Sequence, residues 1–124
     1  MRKLTKDEVE FSVEIESEDM SVRGNAMASG DDLADKEVED HIIARLNQGD
    51  VGAWCCIKVT AKWEEFEGFA TLGGVSLSEK ESSDKQAKEI AEDHGMHDEA
   101  LDDLMKNING YVMNAKDIQI KLAD

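Results

Sequence analysis

Val51-Gly52-Ala53-Trp54-Cys55-Cys56-Ile57-Lys58-Val59-Thr60-Ala61-Lys62-Trp63, followed by Glu64-Glu65-Phe66-Glu67-Gly68, is the stretch that decides the fold. Successive side chains of a strand point to opposite faces. Ala53, Cys55, Ile57, Val59, Ala61 and Trp63 therefore share one face, and Trp54, Cys56, Lys58, Thr60 and Lys62 the other. The pattern predicts a strand over 51–63 with one buried side. The acidic, glycine-ended run 64–68 predicts a hairpin turn, and 68–75 a short further strand ending near Gly73-Gly74.

Upstream, residues 8–16 alternate strictly. Val9, Phe11, Val13 and Ile15 make an apolar face, and Glu8, Glu10, Ser12, Glu14 and Glu16 a polar one, so a strand over 8–16 is expected. Residues 17–32 read as a long loop. Asp31 or Asp32 caps a helix over roughly 33–47, with the stripe Leu33, Val38, Ile42 and Leu46 and with Ala34 and Ile43 alongside. Asp35, Glu37, Glu39 and Asp40 suit its N-terminal dipole, and Gly49 suits the position after the C-cap.

Downstream, 76–84 is linker-like, and a short helix over 84–93 stops at His94-Gly95. The last helix, over 97–122, carries Leu101, Leu104, Ile108, Tyr111, Ala115, Ile118 and Leu122 at helical spacing. Unbroken, it would be roughly 39 Å long, against ~17–20 Å for a typical strand. Either it breaks near Asn109-Gly110, or its last turns pack on another chain, as in a homodimer. The order is β-α-β-β-α-α. An α+β fold is expected, with a small, about three-stranded, mainly antiparallel sheet covered on one face by helices. Length predicts one domain over 1–124. Disorder is expected for 1–7 and for parts of 16–32 and 76–84.

Charge dominates the functional reading. Twenty-nine acids face fourteen bases, a formal charge of -15 on 124 residues, with the acids spread along the whole chain. Such a surplus works against the compact state through self-repulsion and calls for a reason outside the fold. It disfavours direct contact with nucleic acid or anionic membranes and favours a basic protein surface. No apolar run reaches the ~18 residues that a membrane-spanning helix needs. Met1-Arg2-Lys3-Leu4-Thr5-Lys6 runs straight into acids rather than into the apolar core of a secretory signal. Neighbouring Cys55 and Cys56 point to opposite faces of a strand, which suits a reduced, cytoplasmic setting.

Chemistry is thinly represented. His94-Gly95-Met96-His97 has metal-ligand spacing, but Gly95 interrupts it and no third histidine lies nearby in sequence. Cys55 reads as core and Cys56 as half-buried, with no histidine assignable to activate either. Gly30-Asp31-Asp32 lacks the alternating acids of a calcium loop. No enzyme, metal or cofactor is therefore expected. Trp63 reads as core. Trp54, on the opposite face, is either packed under the 17–32 loop or a partner anchor.

The candidate partner-binding set is Glu8, Glu10, Glu14, Glu16, Glu64, Glu65, Glu67 and Trp54. Alternate strand residues stand about 6.6 Å apart, whereas one DNA strand carries a charge every ~3.4 Å of axis. A phosphate-like array thus needs acids from more than one element. The plain alternative is that Lys58 and Lys62 pair with Glu10 and Glu14 and leave an ordinary solvated face.

Val22-Arg23-Gly24-Asn25-Ala26-Met27-Ala28-Ser29-Gly30-Asp31-Asp32, then Glu39-Asp40-His41-Ile42-Ile43-Ala44-Arg45-Leu46, Gly49-Asp50-Val51-Gly52-Ala53-Trp54-Cys55 and Leu72-Gly73-Gly74 resemble small acidic proteins of tailed bacteriophages and prophages. The resemblance spans about residues 8–76, with Gly52 and Val75 departing from it, and 77–124 departs most. It implies a phage setting and carries over no catalytic residues. Small acidic phage proteins often act in counter-defence, so the expectation is inhibition of a host CRISPR effector or restriction enzyme by covering its basic DNA-binding surface. The rival expectations are a phage structural or assembly protein using the C-terminal helix, adaptation to high salt, and a small metal-dependent enzyme.

Overall fold

Residues 2–27, 29–115 and 120–122 are described by a computed structural model. The elements in chain order are β1 (Arg2–Leu4), β2 (Glu10–Ser17), α1 (Asp32–Asn47), β3 (Cys55–Trp63), β4 (Phe66–Val75), α2 (Ser83–Asp93), α3 (Met96–Ala115) and β5 (Ile120–Leu122), with 3-10 turns at Lys6–Glu8 and Val51–Ala53. The fold is α+β. An antiparallel three-stranded sheet has the order β2-β3-β4, and β1 pairs in parallel with β5.

The alternation in β3 does what its pattern requires. Cys55, Ile57, Val59, Ala61 and Trp63 are all buried, while the other face is half-buried or exposed. One side of the sheet is therefore covered and the other meets solvent. β3 and β4 join through the two-residue turn Glu64-Glu65, tighter than the 64–68 run. Glu64 takes a positive φ of 53°, unusual for a residue with a side chain.

The single domain expected from length divides into two compact units, neither of them one continuous stretch of chain. The first contains residues 1–13, 59–70 and 91–124, and the second 14–58 and 71–90. β2, β3 and β4 each contribute residues to both.

In the first unit, α3 buries Met96, Ala100, Leu101, Leu104 and Ile108 along one face. It meets β4 at Gly68, where even a Cβ would lie 2.6 Å from Leu104 Cα. That approach is the reason for a glycine inside a strand. Two expectations are corrected here. Residues 2–4 form a strand with Leu4 fully buried, so disorder does not extend over 1–7 as expected. The helix does not run to 122: it passes through Gly110, ends at Ala115, and the chain returns as β5 beside β1. Ile118 lies outside the described residues.

In the second unit, Asp31 caps α1 by accepting from the N–H groups of Leu33 and Ala34 at 3.1 and 3.3 Å, and Gly49 follows the C-cap at φ +89°. The buried face of α1 differs from the apolar stripe. Leu33 is 78% exposed and Val38 is exposed, whereas Glu39, Ile42 and Arg45 are buried. Specific polar partners turn this helix. Glu39 accepts from the Gly24 N–H at 2.7 Å and from Arg23, which also binds Asp40. Arg45 donates to Asp50 and Glu79. The expected loop and linker are also tied down. Leu77 is buried with its N–H on Gly52 O at 2.7 Å, and the Gln86 side chain bonds both the N–H and the C=O of Ser78.

Candidate acidic groove

The sequence places three acids around the sheet end of the first unit by three different local rules. The 3-10 turn Lys6–Glu8 delivers Glu8, with Thr5 Oγ1 donating to its carboxylate at 3.3 Å. Strand alternation puts Glu10 on the solvent side of β2. The tight β3–β4 turn brings Glu64 back beside them. Together with Lys62 and Trp63 these residues line an open groove of about 380 Å³. Three carboxylates face one ammonium, so the groove is anionic. Coulombic attraction to an entering cation is the main chemistry it offers.

The predicted site set is only partly assembled. Glu8, Glu10 and Glu64 line the groove, though Glu8 sits in the 3-10 turn rather than on the strand, so the regular row starts at Glu10. Glu65 and Glu67 are exposed in the same unit without lining it. Glu14 and Glu16 belong to the second unit. There Glu16 pairs with Lys58 at 3.6 Å and Glu14 is exposed. Lys58 thus takes Glu16, and Lys62 lines the groove with Glu10, one of the acids expected beside it.

Trp54 is corrected as a surface anchor. It is only 4% exposed and packs with Val22, Ile42 and Ala53. Its indole N–H donates to Met20 O at 2.7 Å, which satisfies the one polar group of a buried tryptophan. The side chain pins the loop after β2, the first of its two readings.

Sequence reasoning missed the groups that hold β4. Asp103 accepts from the Phe69 N–H at 2.8 Å, and Asn107 donates to Glu67 O at 2.7 Å. Glu18 accepts from the Gly74 N–H at 3.1 Å. The i, i+4 spacing of Asp103 and Asn107 put them on one helix face, but only the packing of α3 shows that this face meets a strand edge.

Nucleophilic chemistry finds little support in the thiols. Burial, then the nearby Cys56, Glu18 and Asp50, push the Cys55 thiol up to about 11, and burial likewise raises that of Cys56. Both stay protonated and weakly nucleophilic near neutrality. His97 packs its ring on Phe11 at 5.3 Å, and His94 is exposed. Among the described residues no three His, Cys, Asp or Glu side chains are grouped to hold a metal ion, and no helix is long and apolar enough to cross a membrane. No protein family, curated protein or solved structure matches the chain.

Proposed function

We propose that this chain is a non-enzymatic binding protein that presents carboxylates to a cationic, DNA-binding surface of another protein and so blocks it. The convergence of Glu8, Glu10 and Glu64 from three separate elements on one open groove carries this reading. A single β-row is too sparse to imitate phosphates, and acids gathered from several elements supply the missing density. The surplus of fifteen negative charges adds long-range steering toward such a partner. Following the resemblance to tailed-phage proteins, the partner we propose is a host CRISPR effector or restriction enzyme, met in the host cytoplasm.

The assembly alternative rested on a helix too long for its sheet. α3 ends at Ala115 and β5 pairs with β1, which leaves a helix of 20 residues, about 30 Å long.

The test is competition. The chain is titrated against a DNA-cleaving defence enzyme with and without duplex DNA, from about 50 mM to about 0.5 M salt. The expected result is mutual exclusion with DNA and binding that weakens steeply with salt. Exchanging Glu10 and Glu64 for lysine should lower affinity by roughly tenfold or more. Binding that ignores salt, or that coexists with bound DNA, rejects the proposal.

A further inference from the structure

The two outer edges of the sheet are treated differently within the first unit. On β4, α3 covers the edge with one acceptor and one donor a helical turn apart: Asp103 takes the Phe69 N–H and Asn107 meets Glu67 O. Such covering removes the unpaired main-chain groups that invite another strand. On β2, no strand among the described residues pairs with the outer side.

The two faces of this edge are also unlike each other. Glu10 stands on the solvent face beside the anionic groove. Phe11, on the opposite face, is 37% exposed with its ring against His97, and Val13 is half-buried. Acid on one side and incompletely covered apolar surface on the other, at a period of two, is half of a pattern. Its complement is a strand in which a cation alternates with an apolar side chain.

We infer that the β2 edge over residues 10–13 receives an extended segment of the cationic partner, with Lys or Arg alternating with apolar residues. This rests on the proposed function and names the form in which the partner binds. Main-chain hydrogen bonds continue the sheet, as in β-augmentation. Cross-strand neighbours lie about 4.5–5.5 Å apart at Cβ, so a cationic residue beside Glu10 reaches the groove formed with Glu8 and Glu64. The next residue falls on the other face and covers Phe11. A second copy of this chain is a poor occupant, because it would set its own acids against Glu10, and like charges opposite one another destabilise a pair.

The probe is a synthetic octapeptide of alternating Lys and Val, added to the full-length, isotope-labelled chain, with affinity and amide hydrogen exchange as readouts. Two further peptides carry N-methyl groups on one or the other alternate set of nitrogens, which keeps the charge and deletes one ladder of hydrogen bonds. The expected result is new exchange protection within residues 10–13, roughly tenfold weaker binding for one methylated peptide, and little change for the other. Equal binding of both methylated peptides would overturn edge pairing and leave charge-directed docking standing. A defence enzyme that binds while the octapeptide does not has the same meaning. If neither binds, the proposed function falls with the inference. Protection of residues 10–13 that grows with the concentration of the chain alone makes a second copy the occupant and overturns the inference.

Discussion

The two compact units carry nearly the same charge and use it in opposite ways. The first has fourteen acids and seven bases, the second fifteen and seven, giving -7 and -8 of the total -15. In the second unit many of the carboxylates hold structure. Asp31 caps α1, Asp35 takes the hydroxyl and N–H of Ser29, Glu18 takes the Gly74 N–H, and Glu39, Asp40, Asp50 and Glu79 hold two arginines. In the first unit Asp103 has such a task and Glu8 accepts from Thr5 Oγ1, yet Glu8, Glu10 and Glu64 together line open volume. Net charge is therefore no guide to display. What separates the two uses is whether the carboxylate lines open volume.

The largest expected effect tests the frame that presents the groove. Gly68→Ala forces a Cβ into the backbone of α3 at Leu104 and Ala100, where no flexible side chain can give way. Overpacking of this kind costs about 3 kcal/mol or more. Chemical denaturation should show that loss. If stability is unchanged, α3 is not held closely against β4, and the contrast between a covered β4 edge and a β2 edge that no described strand pairs with fails with it.

The next effect probes the inward action of the second unit's acids. Burial first, and then Cys56, Glu18 and Asp50, raise the Cys55 thiol from its ordinary 9.0 to about 11. Below pH 9 the thiol is protonated whether the chain is folded or not, and the stabilisation is fully present. Between pH 9 and about 11 the unfolded chain releases its proton while the folded chain keeps it, so stability falls across that window. A rise of this size is worth about 2–3 kcal/mol once the window has been crossed. Denaturation of the parent and of Cys55→Ala at a series of pH values checks this: the parent should lose more stability above pH 9, and parallel curves would reject it.

What the chain announces in advance follows the same division. The face of β3 was legible because every second residue from Cys55 to Trp63 is apolar and every one is buried, so local period and tertiary environment agree. The cap at Asp31 was legible for a similar reason. The face of α1 was not, because Glu39 and Arg45 are buried by partners fifteen or more residues away or on another segment, and hydropathy has no means of registering a satisfied charge. The end of α3 escaped for want of a local signal: β5 is three residues long, and its partner β1 lies at the far end of the sequence. For the groove, the acids were legible as types and Glu10 as outward-facing. Joining Glu8, Glu10 and Glu64 while detaching Glu14 and Glu16 required the turn geometry at Glu64-Glu65 and the 3-10 turn before β2. Lys62 lines the groove beside Glu10, one of the acids expected near it.

The smallest expected effects give the sharpest version of the comparison, because they pit an acid-removing change in the second unit against two in the first. Glu39→Ala strips the Gly24 N–H of its acceptor and Arg23 of a partner at a position only 7% exposed. Loss of a buried, charge-assisted pair of this kind costs about 2 kcal/mol. Glu10→Gln and Glu64→Gln keep side-chain size and the turn's backbone, and remove charge from exposed residues of the groove. Their stability should stay within about 0.5 kcal/mol of the parent, or rise slightly as repulsion is relieved. Binding should show the reverse order, with the groove variants losing affinity for a cationic DNA-binding protein and Glu39→Ala, so long as it is folded, retaining it. Thermal denaturation and salt-dependent binding measured on the same three variants decide the matter. A groove variant that destabilises as much as Glu39→Ala would mean that its carboxylate is structural after all, and the line drawn between the two units would disappear.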